Sequence, residues 1–157
     1  MGAQREGRDE LLAALNWEAR RTAAFMGLLT RAVAAQLAIN PTDVETVGLL
    51  SVTGPVTAGR LAELTGLSTG TITLVIDRLE RSGFARRVPD SKDRRRVLVE
   101  LVPGRTREAA KLFAPVLAAG AGQAASYDDR DLALIVDYLR KSNDQIKDTA
   151  ADLMRDR

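Results

Sequence analysis

The chain has 157 residues, 45% of them hydrophobic and 4% aromatic, and its 23 Lys+Arg against 21 Asp+Glu leave a net charge of +2. Cysteine and histidine are both absent, which excludes disulfides, thiolate catalysis, nucleophile–His pairs and the usual zinc sites. The length suits one core with a helical extension. No apolar run reaches the roughly 18 residues of a membrane helix, and the opening MGAQREGRDELL lacks the apolar stretch of a secretory signal; a cytoplasmic protein is expected.

Residues 9–38 read as one long helix, with Leu11, Leu15, Phe25, Leu29, Val33 and Leu37 recurring at mostly three- and four-residue steps. Asn40-Pro41 stops it. In PTDVETVGLLSV, Thr42 is the expected N-cap, with Glu45 as its capping-box partner. That helix ends at Gly54-Pro55.

The next stretch, VTAGRLAELTGLSTGTITLVIDRLERSGF, is the most patterned. Thr57 caps a short helix that turns Ala58, Leu61, Ala62 and Leu64 inward, and Gly66 supplies the positive φ that ends it. Leu67 plugs the turn, and Ser68 caps a second helix whose inner face is Ile72, Val75, Ile76 and Leu79. Gly83 ends that helix. Two such helices joined by a glycine-containing turn form a helix-turn-helix.

A hairpin follows: FARRV, a polar tip PDSKDR, and RVLVELV, in which Val97, Val99 and Leu101 alternate onto one face. A hairpin directly after the second helix is a wing, and Pro103-Gly104 is expected to close it. Residues 105–125 read as a helix kinked at Pro115. Residues 128–154 read as another, capped by Asp128 or Asp129, with a seam of Leu132, Ile135, Leu139, Ile146 and Leu153. The apolar stripes of the helices at both ends read as too wide for a single chain of this size to cover; bundling within one chain is the alternative.

Charge is concentrated in the middle. Between Arg78 and Arg107 ten basic residues face four acidic ones, a net of +6, leaving −4 for the rest. A basic centre between acidic ends points to a local polyanion contact. The second helix turns Thr69, Gly70, Thr73, Leu74, Asp77 and Arg78 outward. Ser68, Thr69, Thr71 and Thr73 cluster near its N-terminus, where hydroxyls and the helix dipole suit phosphate and base edges. Leu74 suits a thymine methyl. At the wing tip Lys92, Arg94, Arg95 and Arg96 project charge toward a neighbouring minor groove. Asp90 and Asp93 are read as wing-stabilising, with an Asp93–Arg95 pair as scaffold and Arg94 as the probe. A surface helix with Ser/Thr caps and a solvated charged turn are the plainer readings of the same residues.

RLAELTGLSTGTITLVIDRLERSGFARR together with DSKDRRRVLVEL closely resembles the winged helix-turn-helix of the MarR family of bacterial transcription regulators. The resemblance spans about 60 of 157 residues, from Val44 to Val102. Its wing piece resembles the family signature Asp-x-Arg-Asp-x-Arg, with Lys92 where arginine is usual. Two departures are LVPGRT after the wing and the outward Leu74. The resemblance implies a homodimer joined through the terminal helices, binding double-stranded DNA at an inverted repeat. It also implies a small aromatic or anionic effector, held between the dimer helices and the DNA-binding lobe, and Trp17, Arg20, Arg21 and Phe25 are candidates to line that site; dimer core and surface arginine is the plainer reading of each. The lack of cysteine and histidine argues against the family's peroxide- and zinc-sensing branches.

The expected architecture is therefore mainly α with a small β-hairpin wing, a winged helix-turn-helix (41–103) flanked by dimerisation helices (9–40 and 104–155). The expected function is a DNA-binding transcriptional regulator, a repressor by occlusion that a ligand relieves. The rivals are a winged-helix protein-interaction module with an acidic partner, and a ligand-binding dimer without DNA binding. No catalytic residue, metal or cofactor is expected. Asp128, Asp129 and Asp131 sit at a helix start, where capping explains them, and TGLSTGT lacks the lysine of a phosphate-binding loop.

Overall fold

The computed structural model describes residues 2–155, with side chains described for 7–154. Among them the element order is α1 (Gly2–Leu37), α2 (Pro41–Thr53), β1 (Val56–Thr57), α3 (Ala58–Thr65), α4 (Thr69–Arg81), β2 (Ala85–Pro89), β3 (Val97–Leu101), α5 (Pro103–Ala124) and α6 (Asp129–Arg155). The backbone falls into two units that meet between Val44 and Glu45. No single helix among the described residues is long and apolar enough to cross a membrane.

In the first unit α1 begins well before residue 9. It ends through Ala38, whose φ of 54° is left-handed, with the Ile39 N–H donating to the Ala34 carbonyl at 3.0 Å. This six-to-one bond satisfies a carbonyl that the helix end would otherwise orphan. The cap of α2 corrects the expectation for Thr42 and Glu45. Asn40 is the N-cap: its carbonyl accepts from the amides of Asp43 (2.9 Å) and Val44 (3.2 Å). Asp43, three residues on, accepts the Asn40 N–H at 3.4 Å. Pro41 occupies N1, where its missing N–H costs nothing, and this places Thr42 one position inside the helix.

The second unit contains the helix-turn-helix and the wing. Gly54 ends α2 with a φ of 73°. The Thr57 hydroxyl accepts the Arg60 N–H at 3.2 Å, and Gly66 ends α3 in the left-handed region with φ 67°. Ser68 caps α4, accepting the Thr71 N–H at 3.2 Å. The inner face of α4 is as its spacing implied: Ile72, Val75, Ile76 and Leu79 are each 1% exposed or less. Full burial of such side chains is worth about 1.5–3 kcal/mol each, which fixes the rotation of α4 about its axis and with it the outward set. Leu61, Phe84, Ala85, Val99, Leu50 and Ala109 are buried in the same unit.

The sheet has three strands, antiparallel, in the order β1-β3-β2. The β2–β3 hairpin pairs Ala85 with Leu101, Arg87 with Val99 and Pro89 with Val97. Beyond the expected hairpin there is a third strand: Val56 and Thr57 pair with Val99 and Leu98 on the other side of β3. Of the expected inward set in β3, Val99 is buried and Leu101 half-buried, but Val97 is 52% exposed. Val97 sits at the tip end of the hairpin, where the strands run past the core.

Pro103 and Gly104 do not close the wing. They form the first turn of α5, with proline at the start and Val102 as an N-cap without a side-chain bond. The helix continues through Pro115 to Ala124. Asp128 caps α6, its carboxylate accepting the Asp131 N–H at 2.8 Å and its carbonyl the Leu132 N–H at 2.9 Å.

Candidate nucleic-acid interface

The α4 surface left outward by the buried face begins at its capped N-terminus. Ser68 Oγ lies 2.9 Å from Thr71 Oγ1, and the Thr73 hydroxyl donates to the Thr69 carbonyl at 2.8 Å. Ser68, Thr69, Thr71, Thr73 and Leu74 are all exposed, Leu74 to 60%. Leu74 is the one large apolar side chain exposed on α4. Arg78 is half-buried one turn further along. Apart from the half-buried Arg78, the α4 residues named from the sequence are accessible and lie outside the buried stripe.

The wing tip is ordered by its acids. Asp90 Oδ1 accepts the Lys92 N–H at 2.8 Å, while its own N–H donates to the Arg96 carbonyl at 3.0 Å. Asp93 Oδ1 accepts the Arg95 N–H at 3.0 Å, and its carbonyl takes the Arg96 N–H at 2.9 Å. These are two successive Asx turns. The expected Asp93–Arg95 contact exists, but it runs to the backbone amide and leaves the guanidinium outside. Arg96 Nε stands 3.9 Å from Asp90 Oδ2. Among the described residues the side chains of Lys92, Arg94 and Arg95 have no hydrogen-bond or ion-pair partner, and all three are exposed. The loop is held by main-chain bonds and its charge is directed outward.

Three further arginines of the basic segment, Arg86, Arg87 and Arg105, tie the parts together. Arg86 and Glu100 are opposite one another in the hairpin and pair at 2.6 Å. Arg87 leaves β2 to meet α4: Nη2 lies 2.9 Å from Asp77 Oδ1, Nη1 bonds Glu80 Oε2, and its N–H reaches Glu80 Oε1 at 2.8 Å. Burial alone would lower the Arg87 pKa; the bonds and charges of Asp77 and Glu80 outweigh it and hold it above its ordinary value. Arg105, at the start of α5, donates from Nε to the Ser82 carbonyl at 3.2 Å and lies 4.9 Å from the Phe84 ring centroid. No spacing rule within one element finds these pairs, because each joins two elements.

The four residues suggested for an effector lie on α1, in the first unit. Arg21 pairs with Glu18 at 3.2 Å and stands 5.6 Å from the Phe25 ring. Trp17 and Phe25 are exposed. In the second unit an open groove of about 500 Å³ has walls that include Leu50, Pro55, Leu101, Thr106 and Ala110. None of the four lines it.

The sequence model of the MarR family matches residues 39–97. A helix-turn-helix transcriptional regulator of Bacillus subtilis, YcgE, is 36% identical over 117 residues, covering 74% of this chain and 76% of its own. A MarR family protein from Bacillus stearothermophilus superposes with a TM-score of 0.65 at 24% identity, over 88% of this chain and 96% of the other. A point mutant of MepR from a multidrug-resistant S. aureus isolate gives 0.71 at 16% identity, over 84% and 96%. The two structures share the fold, and the likeness to YcgE extends well beyond the helix-turn-helix. On these grounds the chain belongs to the MarR family and is a transcriptional regulator.

Proposed function

We propose that this chain is a homodimeric repressor that binds double-stranded DNA at an inverted repeat and blocks promoters by occlusion, in the cytoplasm. Ser68, Thr69, Thr71, Thr73, Leu74 and Arg78 would face the major groove, and Lys92, Arg94, Arg95 and Arg96 the neighbouring minor groove and phosphates. Asp90 and Asp93 would hold the wing in shape. The observation that carries this reading is the wing tip, where the carboxylates turn to main-chain amides while Lys92, Arg94 and Arg95 keep outward charge with no protein partner among the described residues. Such charge, in the same unit as a hydroxyl-lined helix N-terminus, suits phosphate and groove contacts.

In this proposal residues 9–40 and 104–155 join the protomers, and 41–103 reads DNA. Exposed Ile135, Leu139, Ile146 and Leu153 on α6 support a partner helix there. Leu11, Leu15 and Phe25 support the same for α1. A small aromatic or anionic effector would relieve repression, with Trp17, Arg20, Arg21 and Phe25 as its candidate contacts; Arg offers a bidentate fork for a carboxylate.

The test is a fluorescence titration against duplex DNA from the upstream region of the chain's own gene, at two salt concentrations, beside a scrambled duplex. Preferential binding by two protomers per site, weakening steeply with salt, is the expected result. Equal and salt-insensitive binding to both duplexes would refute the reading.

A further inference from the structure

On α4, Thr69, Thr73, Asp77 and Glu80 follow at three- and four-residue steps and share one strip of helix surface. The strip starts with the exposed Thr69 hydroxyl, which suits phosphate, passes Thr73, whose hydroxyl donates to the Thr69 carbonyl, and ends with two carboxylates that repel phosphate. Asp77 and Glu80 are half-exposed, at 44% and 32% of their side chains. On a helix that approaches a polyanion, such charge works against binding.

The wing supplies the answer to that charge. The guanidinium of Arg87 lies between the two carboxylates, 2.9 Å from Asp77 Oδ1 and bonded to Glu80 Oε2, and is itself one-third exposed. Arg81 on α4 makes a different bond: its Nε donates to the Asp77 carbonyl oxygen at 3.2 Å, not to the carboxylate. The Arg87 N–H to Glu80 bond, at 2.8 Å, fixes where the side chain begins. A guanidinium keeps its charge throughout the physiological range, so the compensation does not depend on pH.

We propose that Arg87 is a charge-masking residue, which reaches from the wing strand to offset half of the charge of Asp77 and Glu80 and so lets the α4 strip approach DNA phosphate. The inference rests on the DNA-binding reading above. The Asp77–Glu80–Arg87 cluster carries a net charge of −1. Arg87→Gln makes it −2, and Asp77→Asn in the same chain returns it to −1 without restoring the guanidinium. A purely geometric tie would leave the salt slope unchanged in Arg87→Gln. A direct Arg87–phosphate contact would let Asp77→Asn strengthen binding equally with and without Arg87, because a lost carboxylate helps in either background, whereas masking requires the larger gain in the Arg87→Gln background.

The experiment is fluorescence anisotropy of the full-length protein on a mixed-sequence duplex of about 24 base pairs, longer than the two half-sites of a dimer, over a range of salt. The probe needs no knowledge of the operator. Arg87→Gln should weaken binding about fivefold at low salt and lower the slope of log K against log salt by about 0.9. Arg87→Gln/Asp77→Asn should return both to within about twofold of the parent. An Arg87→Gln protein that binds like the parent, a double variant as weak as the single one, or an Asp77→Asn gain as large with Arg87 as without it, overturns the proposal. If Arg87→Gln loses helical circular dichroism, Arg87→Lys carries the test: charge is kept, so the slope should hold, and a lowered slope overturns masking. A parent protein without salt-dependent DNA binding fails the functional reading first, and masking with it.

Discussion

Arg94→Ala is the sharpest test of the wing. Arg94 is exposed and has no hydrogen bond or ion pair among the described residues. Truncating it removes nothing that the fold uses, so the unfolding free energy should stay within about 0.5 kcal/mol of the parent. The loss should appear on DNA. An arginine inserted in a groove is worth about 1–3 kcal/mol, or about 5- to 150-fold in Kd, and the salt slope should fall by about one contact. Arg96→Ala is the internal control, because Arg96 already faces Asp90 at 3.9 Å and has less of its charge available to phosphate. Its loss should be the smaller of the two. The assay is anisotropy on the duplex that the parent prefers, at four salt concentrations, with thermal melts of each variant beside it. If Arg94→Ala binds within twofold of the parent and with the parent's salt slope, the wing tip does not contact DNA as argued.

Ser68→Ala removes the oxygen that accepts the Thr71 N–H and should cost about 1 kcal/mol, read as a lower urea midpoint at unchanged m-value. Leu79→Ala, at a fully buried position, should cost about 2–5 kcal/mol in the same assay; a cost below 1 kcal/mol would contradict the packing of α4. Gly66→Ala places a Cβ at φ 67° and against the Met154 side chain, so about 1–2 kcal/mol is expected from the backbone. The end of Met154 can swing aside, so adding Met154→Ala should recover little of that loss. Leu139→Asp, at an exposed apolar position of α6, should shift sedimentation toward one protomer without lowering helical content; an unchanged two-protomer species would place the dimer contact elsewhere.

The parts that were legible in the sequence are those governed by neighbours three or four residues away. Thr57 and Ser68 as caps, Gly66 and Gly83 as left-handed stops, and Ile72, Val75, Ile76 and Leu79 as one buried stripe all follow from local rules. What was missed joins distant residues or hides in short segments. Strand β1 is two residues long, too short for an alternation, and its Thr57 is at the same time the cap of α3. Proline reads as a breaker, yet at Pro41 and Pro103 it begins helices, because N1 needs no amide. Thr42 looked like a cap by residue type, but Asn40 lay two positions before it and Asp43 completed the reciprocal bond. Val97 obeyed the strand parity, but parity does not say where the core ends. Arg87 to Glu80 and Arg105 to Phe84 cross from one element to another, and only the fold brings them together.

The acids of the basic segment explain why so much positive charge remains usable there. Glu100 holds Arg86, and Asp77 and Glu80 hold Arg87. Asp90 and Asp93 take main-chain amides at the tip. Each carboxylate from Asp77 to Glu100 thus has a partner within the fold: arginines of the hairpin strands, the wing's own backbone and, for Asp90, also Arg96. Lys92, Arg94 and Arg95 are left over, and they sit at the furthest point of the hairpin. A wing without its acids would be more positive but would fluctuate, and ordering it on DNA would cost about 1–2 kcal/mol for each residue fixed. The two Asx turns remove part of that cost before DNA arrives. Replacing Asp90 and Asp93 by Asn keeps the acceptor oxygens while adding positive net charge, whereas Ala adds the same charge and loses the turns. If preorganisation is what the acids provide, the Asn variant should bind a duplex at least as tightly as the parent and the Ala variant more weakly. Equal tightening in both would show that the acids matter only as charge.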